Sequence, residues 1–144
     1  MTITKLLTTI TVLAIMTSCA LFDSGGETIK GRYNVVWIDT KANRSINYAA
    51  EDGDYGGSEK VGAFIKRLGH NDRYIIAERI YFDVFERMDK PDYDSTAYYI
   101  IDMDIDAPYD NKDVMGPLNR IDFEKMKTKL GIEGLEFTKE YYDY

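Results

Sequence analysis

Five aspartates near residue 110 have a spacing that could bind a metal ion. They occupy relative positions 1, 3, 5, 9 and 12 of one segment: Asp102, Asp104, Asp106, Asp110 and Asp113. Carboxylates at these positions match the ligand spacing of a calcium-binding loop. The match is incomplete, because the sixth position, which needs a glycine for the turn, is Ala107, and Pro108 follows it. The sequence therefore favours solvated acids at a strand end, and we predict no bound metal or cofactor.

Other residues that could carry catalysis are sparse. His70 is the single histidine, so no second imidazole can complete a zinc site or a proton relay. The glycine-containing segment 53–57 lacks the Lys-Ser/Thr ending of a phosphate-binding loop, and no Gly-x-Ser-x-Gly segment is present. Paired carboxylates acting on a carbohydrate stay open as an alternative, because the fold alone sets the separation of two acids. The sequence thus favours a protein that is not an enzyme.

The first eighteen residues are typical of a secretory signal. Lys5 supplies a short positive region, and the apolar run 6–16 follows it. This run is about half as long as a bilayer-spanning helix requires, so it predicts an export signal and not a permanent membrane span. The run ends in Met16-Thr17-Ser18-Cys19, in which small residues precede the only cysteine of the chain.

This ending resembles the lipobox of bacterial lipoproteins, with Met16 in place of the usual leucine. The resemblance implies that the Cys19 thiol receives a diacylglyceryl group, which carries fatty acids such as palmitate, and that a peptidase cuts before it. An ordinary secreted protein with a cysteine near its cleavage site is the alternative. Ala20 follows the cysteine, where an aspartate would resemble an inner-membrane retention signal. We therefore expect a lipid anchor in the cell envelope, at the outer membrane.

Charge and composition divide the chain into three parts. Cleavage after Ser18 removes Lys5 and no acid, so the formal net charge of −7 becomes −8. Such an acidic protein is a poor partner for nucleic acid or for anionic lipid. We predict a signal peptide over 1–18, the lipidated cysteine and a flexible tether over 19–31, and one globular β-rich domain over 32–144.

The mature part is dominated by strand-forming residues. Segments rich in Tyr, Val and Ile predict strands over 33–39, 45–48, 61–68, 73–81 and 98–103, the third and fourth of which form a hairpin through Gly69-His70-Asn71-Asp72. A helix is predicted over 123–130, with Asp122 as its cap, an apolar stripe along one face, and Gly131 as its end. A short strand is expected over 135–138. The predicted class is α+β, a mostly antiparallel sheet with one C-terminal helix in a single small domain.

Tyrosine is the compositional feature that points to binding. The chain holds twelve tyrosines, and Tyr98 and Tyr99 should point to opposite faces of their strand, one buried and one exposed. Exposed tyrosines suit protein or sugar partners because they are large, rigid and amphipathic. The alternative, which the composition favours, is that tyrosine serves here as a strand-forming residue at half-buried positions. The segments 33–39, 72–77 and 98–102, with the helix that follows, are similar to those of small lipoproteins of unknown function. The favoured function is a lipid-anchored, non-enzymatic module with a protein partner; a carboxylate enzyme on carbohydrate and a calcium-stabilised adhesion module are the alternatives.

Overall fold

A computed structural model describes residues 23–81 and 92–141, which form nine strands, one α-helix and one short 3-10 helix. The strands are β1 Gly25–Lys30, β2 Tyr33–Trp37, β3 Ser45–Tyr48, β4 Ser58–Val61, β5 Ile65–His70, β6 Tyr74–Tyr81, β7 Asp92–Asp102, β8 Val114–Leu118 and β9 Lys139–Glu140. The helix α1 spans Arg120–Leu130, and the 3-10 helix spans Lys41–Asn43. No helix in this described part is long and apolar enough to span a membrane. The predicted signal peptide and Cys19 lie outside the described residues.

The strands form two antiparallel sheets. The first has the order β1-β2-β3-β4 and the second the order β8-β7-β6-β5-β9. This arrangement, with α1 near the C-terminus, confirms the predicted α+β class in a single small domain. The strands had been predicted to share one sheet, and that prediction is wrong, since β2 belongs to the first sheet and β5, β6 and β7 belong to the second.

Two hydrophobic cores hold three layers together. The first core lies between the sheets and joins Val35 and Ile46 of the first sheet to Ile75 and Ile101 of the second, all fully buried. The second core lies on the other face of the second sheet, where Phe123 of α1 is 1% exposed. The second sheet is therefore covered on both faces, which explains why its central strands are apolar at consecutive positions.

Tyr98 and Tyr99 show the consequence of this double cover. They point to opposite faces of β7, as predicted, yet both are buried. Tyr99 contributes to the core between the sheets, while Tyr98 stacks on Phe123 with ring centroids 4.9 Å apart. The prediction that one of the two is exposed is wrong, because α1 packs on the face that a two-layer fold would leave open.

The strand predicted over 61–68 is divided between the two sheets. β4 ends at Val61 and β5 begins at Ile65, with Phe64 in a left-handed conformation at φ 74°. The chain passes from the first sheet to the second over residues 62–64, so a single apolar run contributes to two strands. The hairpin that follows is confirmed: β5 pairs antiparallel with β6, and the Asn71 side-chain oxygen accepts hydrogen bonds from the backbone nitrogens of Arg73 and Tyr74 at 2.9 and 2.7 Å.

The first strand lies inside the predicted tether. Gly25 pairs with Trp37, and β1 continues to Lys30, so residues 25–30 of the predicted tether over 19–31 belong to the first sheet. A Cβ atom on Gly25 would lie 2.6 Å from the Trp37 ring, and one on Gly26 would lie 2.5 Å from the Tyr55 ring. These glycines therefore permit close contact of rings with the strand, where composition alone suggested flexibility.

The C-terminal region differs from the prediction in three places. The N-cap of α1 is Asn119, whose side chain accepts a hydrogen bond from the Asp122 backbone nitrogen at 2.9 Å, so the helix starts before the predicted Asp122 cap. The predicted apolar stripe and the end at Gly131 are confirmed. No strand forms over 135–138; β9 follows it and pairs with β5. Tyr141, assigned no role from sequence, is buried in the core between the sheets.

Candidate binding site

The five predicted aspartates do not converge on one point. Asp102 is buried and accepts two hydrogen bonds from the Arg73 guanidinium, at 3.0 and 2.8 Å. Asp104 is exposed and pairs with the same guanidinium, while Asp110 pairs with Lys112 at 2.6 Å. Among the described residues, no group of three or more His, Cys, Asp and Glu side chains could hold a metal ion. The loop is therefore arranged around protein cations.

Lys60 is the cation at the centre of this loop. Its ammonium donates hydrogen bonds to the backbone oxygens of Ala107 and Asp110, the latter at 2.6 Å, and to Oδ1 of Asp113 at 2.9 Å. Tyr33 donates its hydroxyl to Oδ2 of the same carboxylate at 2.8 Å. The Lys60 and Asp113 side chains are both fully buried. An ammonium thus occupies a setting of carbonyl and carboxylate oxygens that resembles a metal site.

Little in the sequence indicates the role of Lys60. It stands beside the apolar Val61 in a segment that was predicted to begin one residue later, and nothing local indicates its partners, which are 47 to 53 residues away. Tyr33, which donates to the same Asp113 carboxylate, is also buried. Its burial, and to a smaller extent the hydrogen bond to Asp113, raises the pKa of the phenol. The Tyr33 hydroxyl therefore stays protonated and serves as a donor.

The loop between β7 and β8, which Lys60 contacts, forms one wall of a pocket that we call the Tyr48 pocket. Its volume is about 360 Å³, and its lining is Arg32, Tyr48, Ala49, Ala50, Gly57, Ser58, Pro108 and Tyr109. Tyr109 is 96% exposed at the rim. Because Lys60 bonds to the oxygen of Ala107, the residue before Pro108, the buried ion pair fixes the position of this wall.

The floor of the Tyr48 pocket is an aromatic ring held from several sides. The Arg32 guanidinium lies 4.8 Å from the Tyr48 ring centroid and donates to the Tyr48 hydroxyl at 3.3 Å. The same guanidinium donates to the backbone oxygens of Ala49, at 3.1 Å, and Ala50. Tyr33 packs edge-on against the ring with centroids 4.9 Å apart. This pocket presents apolar surface, a hydroxyl and part of a guanidinium, which is chemistry for binding.

A second cavity places acids beside several cations. A cavity of about 310 Å³ beside α1 contains Glu124 and Glu136 together with three cationic side chains, Arg67, Arg120 and Lys127. A glycoside-cleaving acid needs a raised pKa. Where the carboxyl pKa is shifted among the described residues, it is lowered: Glu27, Asp72, Asp102 and Asp110. The carboxylate-enzyme alternative therefore gains no support from these groups.

His70 lies on the surface of the domain, next to the turn of the β5–β6 hairpin. It is exposed at the end of β5, where the ring nitrogen Nδ1 lies 3.3 Å from the backbone oxygen of Asn71. The sequence predicts His70 in the turn of the hairpin, whereas in the structure it is the last residue of β5 and the turn begins after it. Among the described residues, no serine or cysteine side chain forms a hydrogen bond with His70.

Sequence comparison places the chain in a family. Residues 30–141 match the family described as "Protein of unknown function (DUF3997)". This range runs from the last residue of β1 to Tyr141 and includes strands β2 to β9, α1 and every residue that lines the Tyr48 pocket. The chain belongs to the DUF3997 family. No curated protein and no solved structure matches it.

Family membership agrees with part of the earlier expectation. The sequence predicts a resemblance to small lipoproteins of unknown function; the DUF3997 family is one of unknown function, and the match carries no information on a lipid anchor. The match begins at Lys30, so it does not bear on the signal peptide or on Cys19. The function of this DUF3997 protein must accordingly be argued from its own pocket and its own N-terminal sequence.

Proposed function

We propose that this DUF3997 protein is a bacterial lipoprotein, anchored by Cys19 to a membrane of the cell envelope, that binds a protein partner in the Tyr48 pocket without catalysing a reaction. The N-terminal sequence supports the anchor, since a signal-like apolar run ends at the only cysteine. Ala20 after the cysteine supports the outer membrane as its location. The partner role rests on the pocket.

The observation that supports the partner role is that the Tyr48 ring is fixed by contacts with its neighbours. A side chain that is already fixed loses little conformational entropy when it is covered by a partner. Arg32 and Tyr33 fix this ring from two sides, and Tyr109 offers a second tyrosine at the rim. Tyrosine and arginine in a desolvated pocket are the residues that most often dominate binding energy at protein interfaces.

The position of the pocket suits an anchored protein. Tyr48 pairs with Tyr33 at the start of β2, whereas Gly25, where the chain enters the fold, pairs with Trp37 at the end of that strand. Four residue steps of a strand separate the two ends by about 13 Å. A lipid at Cys19 would thus leave the Tyr48 pocket on the side of the domain away from the membrane.

The anchor is tested by replacing its thiol. Cys19→Ala should abolish incorporation of a clickable fatty acid and release the protein from sedimented membranes, because the anchoring energy comes from the acyl chains. Ser18→Ala, which leaves a small residue before the cysteine, serves as the matched control and should keep the label. Continued labelling of Cys19→Ala would disprove the anchor.

The partner role is tested by crosslinking in the producing cells. A photoreactive residue at Tyr109 should yield a discrete protein adduct, and the same residue at Ile121, which is 68% exposed on α1, should not. The adduct should disappear when the unmodified protein is co-produced in excess, and should persist when the competitor carries Tyr48→Ala. Equal competition by both forms, or adducts of equal yield from both positions, would rule out the Tyr48 pocket as the binding surface.

A further inference from the structure

The turn between β2 and β3 exposes apolar surface at the point where the chain enters the fold. We call residues 37–43 the anchor-side turn. Ile38 is 63% exposed there, next to the half-buried Trp37, and the Lys41 side chain is 49% exposed. Most large apolar side chains of this domain lie in its two cores, so an exposed isoleucine beside tryptophan stands out at this end.

The first described residues of the chain lie directly on this turn. Asp23 accepts a hydrogen bond from the Trp37 ring nitrogen at 3.4 Å, and its carboxylate lies 4.0 Å from the Lys41 ammonium. The Ser24 hydroxyl oxygen accepts a hydrogen bond from the backbone nitrogen of Asp39, also at 3.4 Å. The chain that leads back to Cys19 therefore departs from the anchor-side turn itself.

Chain length limits how far this turn can be from the anchor. Five residue steps separate Cys19 from Ser24. Five steps span at most about 18 Å, whatever conformation they adopt. The headgroup layer on each side of a bilayer is itself about 5 to 8 Å thick. A cysteine whose acyl chains enter the hydrocarbon thus holds the turn within reach of the headgroups.

From this geometry we infer that the anchor-side turn rests on the headgroup layer of the bilayer that holds Cys19, with Ile38 inserted among the lipids. The inference deepens the proposed function and rests on its lipid anchor. Tryptophan beside an apolar residue suits the membrane interface, and Lys41 can extend its ammonium to lipid phosphate. Because Ile38 and Trp37 carry no charge and the Lys41 ammonium already lies 4.0 Å from the Asp23 carboxylate, the contact is mainly apolar and does not require anionic lipid.

Trp37 is the only tryptophan of the chain, so its fluorescence reports on this turn alone. The full lipidated protein is purified from membranes and reconstituted into phosphatidylcholine vesicles whose acyl chains are brominated near the headgroup. Flotation of the vesicles measures the anchor, and quenching of Trp37 in the floated fraction measures docking. We expect quenching and a blue-shifted emission for the natural sequence, and loss of both in Ile38→Asp.

Ile121→Asp is the matched control, because Ile121 is 68% exposed but lies on α1, beyond the second sheet. It should keep the quenching, and the emission of each variant in detergent shows whether Trp37 itself has been disturbed. Floated protein without quenching, or with quenching equal in Ile38→Asp, would overturn the docking and leave the anchor intact. Protein that fails to float would overturn the anchor and the docking together.

Discussion

The Lys60 ammonium lies 2.9 Å from the Oδ1 atom of Asp113, and neither side chain is exposed to solvent. Lys60 belongs to β4 of the first sheet, and Asp113 directly precedes β8 of the second. The pair therefore joins the two sheets at the edge of the core that they share. It also holds the loop that carries Pro108 and Tyr109, so the pocket wall depends on a contact that no solvent reaches.

The first prediction concerns the loss of one partner of this pair. Lys60→Met should lower the free energy of unfolding by about 3 to 5 kcal/mol, because it leaves a buried carboxylate without its cation. Asp113→Asn should have an effect of the same sign, and the double variant should lose less than the two single losses together, with a coupling of about 0.5 to 3 kcal/mol. Urea denaturation of all four proteins measures this. Additive single effects would show that the pair is not coupled.

The second prediction concerns acid stability and Asp102. Hydrogen bonds from Arg73 hold the pKa of this carboxyl below its ordinary value of 3.8, although burial opposes them. Since the unfolded chain binds the proton more readily, stability from this group is complete above about pH 5 and is lost as the pH falls through the lowered native pKa.

Asp102→Asn should therefore be less stable than the natural protein near pH 7, and the two should converge as the pH falls towards 2. Thermal unfolding at several pH values tests this. Exposed Asp104→Asn is the control, because its carboxylate shares the same guanidinium but is solvated. Parallel stability curves for Asp102→Asn and the natural protein would contradict the prediction.

The third prediction concerns the cap of α1. Asn119→Ala should cost about 1 kcal/mol, because the Asp122 backbone nitrogen loses the acceptor that lies 2.9 Å away. Asn119→Ser keeps an acceptor and should be close to neutral. Chemical denaturation compares them. If both substitutions cost the same, then the capping hydrogen bond is not the source of the loss.

The fourth prediction compares two residues on the apolar face of α1 that differ in how deeply they are buried. Phe123 is 1% exposed and stacks on Tyr98, so Phe123→Ala should cost about 3 to 5 kcal/mol. Leu130 is only partly buried at the end of α1, so Leu130→Ala should cost clearly less. Equal losses would contradict the prediction, because they would show that Leu130 is packed as tightly as Phe123.

The fold class could be predicted from sequence because the strands and the helix carry their own local signals. Tyr98 to Ile101 are apolar at consecutive positions, and Phe123, Met126 and Leu130 repeat with helical spacing. The assignment of strands to two sheets carries no such signal. Alternation cannot show that the chain leaves one sheet after Val61 and joins another at Ile65, because the apolar residues continue through the transfer.

The site could not be predicted because its contacts are distant in sequence. The acidic residues suggested a cation, and the structure places one at Asp113, but it is the Lys60 ammonium from another strand. Likewise, Tyr141 is buried through packing on Arg44, whose guanidinium lies 4.2 Å from its ring centroid, and nothing in the C-terminal segment itself indicates that partner. Long-range pairing of this kind becomes visible only in the folded chain.

The last prediction is that the loop from Asp102 to Asp113 does not bind calcium tightly. The two buried carboxylates of the loop are already paired with protein cations, Asp102 with Arg73 and Asp113 with Lys60. The carbonyl oxygens of Ala107 and Asp110 point to the same ammonium, so a calcium ion would have to displace a buried lysine. Exposed acids such as Asp104 and Asp106 can still attract cations weakly, and salt screens this attraction.

Calorimetric titration of the lipidated protein in detergent with calcium should therefore show no saturable heat in the micromolar range at physiological ionic strength. Magnesium serves as the control for binding by charge alone, since it is attracted by the same acids but demands a stricter geometry. A stoichiometric micromolar calcium site that is lost in Asp104→Asn would contradict the prediction. Such a site would require the loop to release Lys60, and it would favour a calcium-stabilised module over a partner-binding lipoprotein.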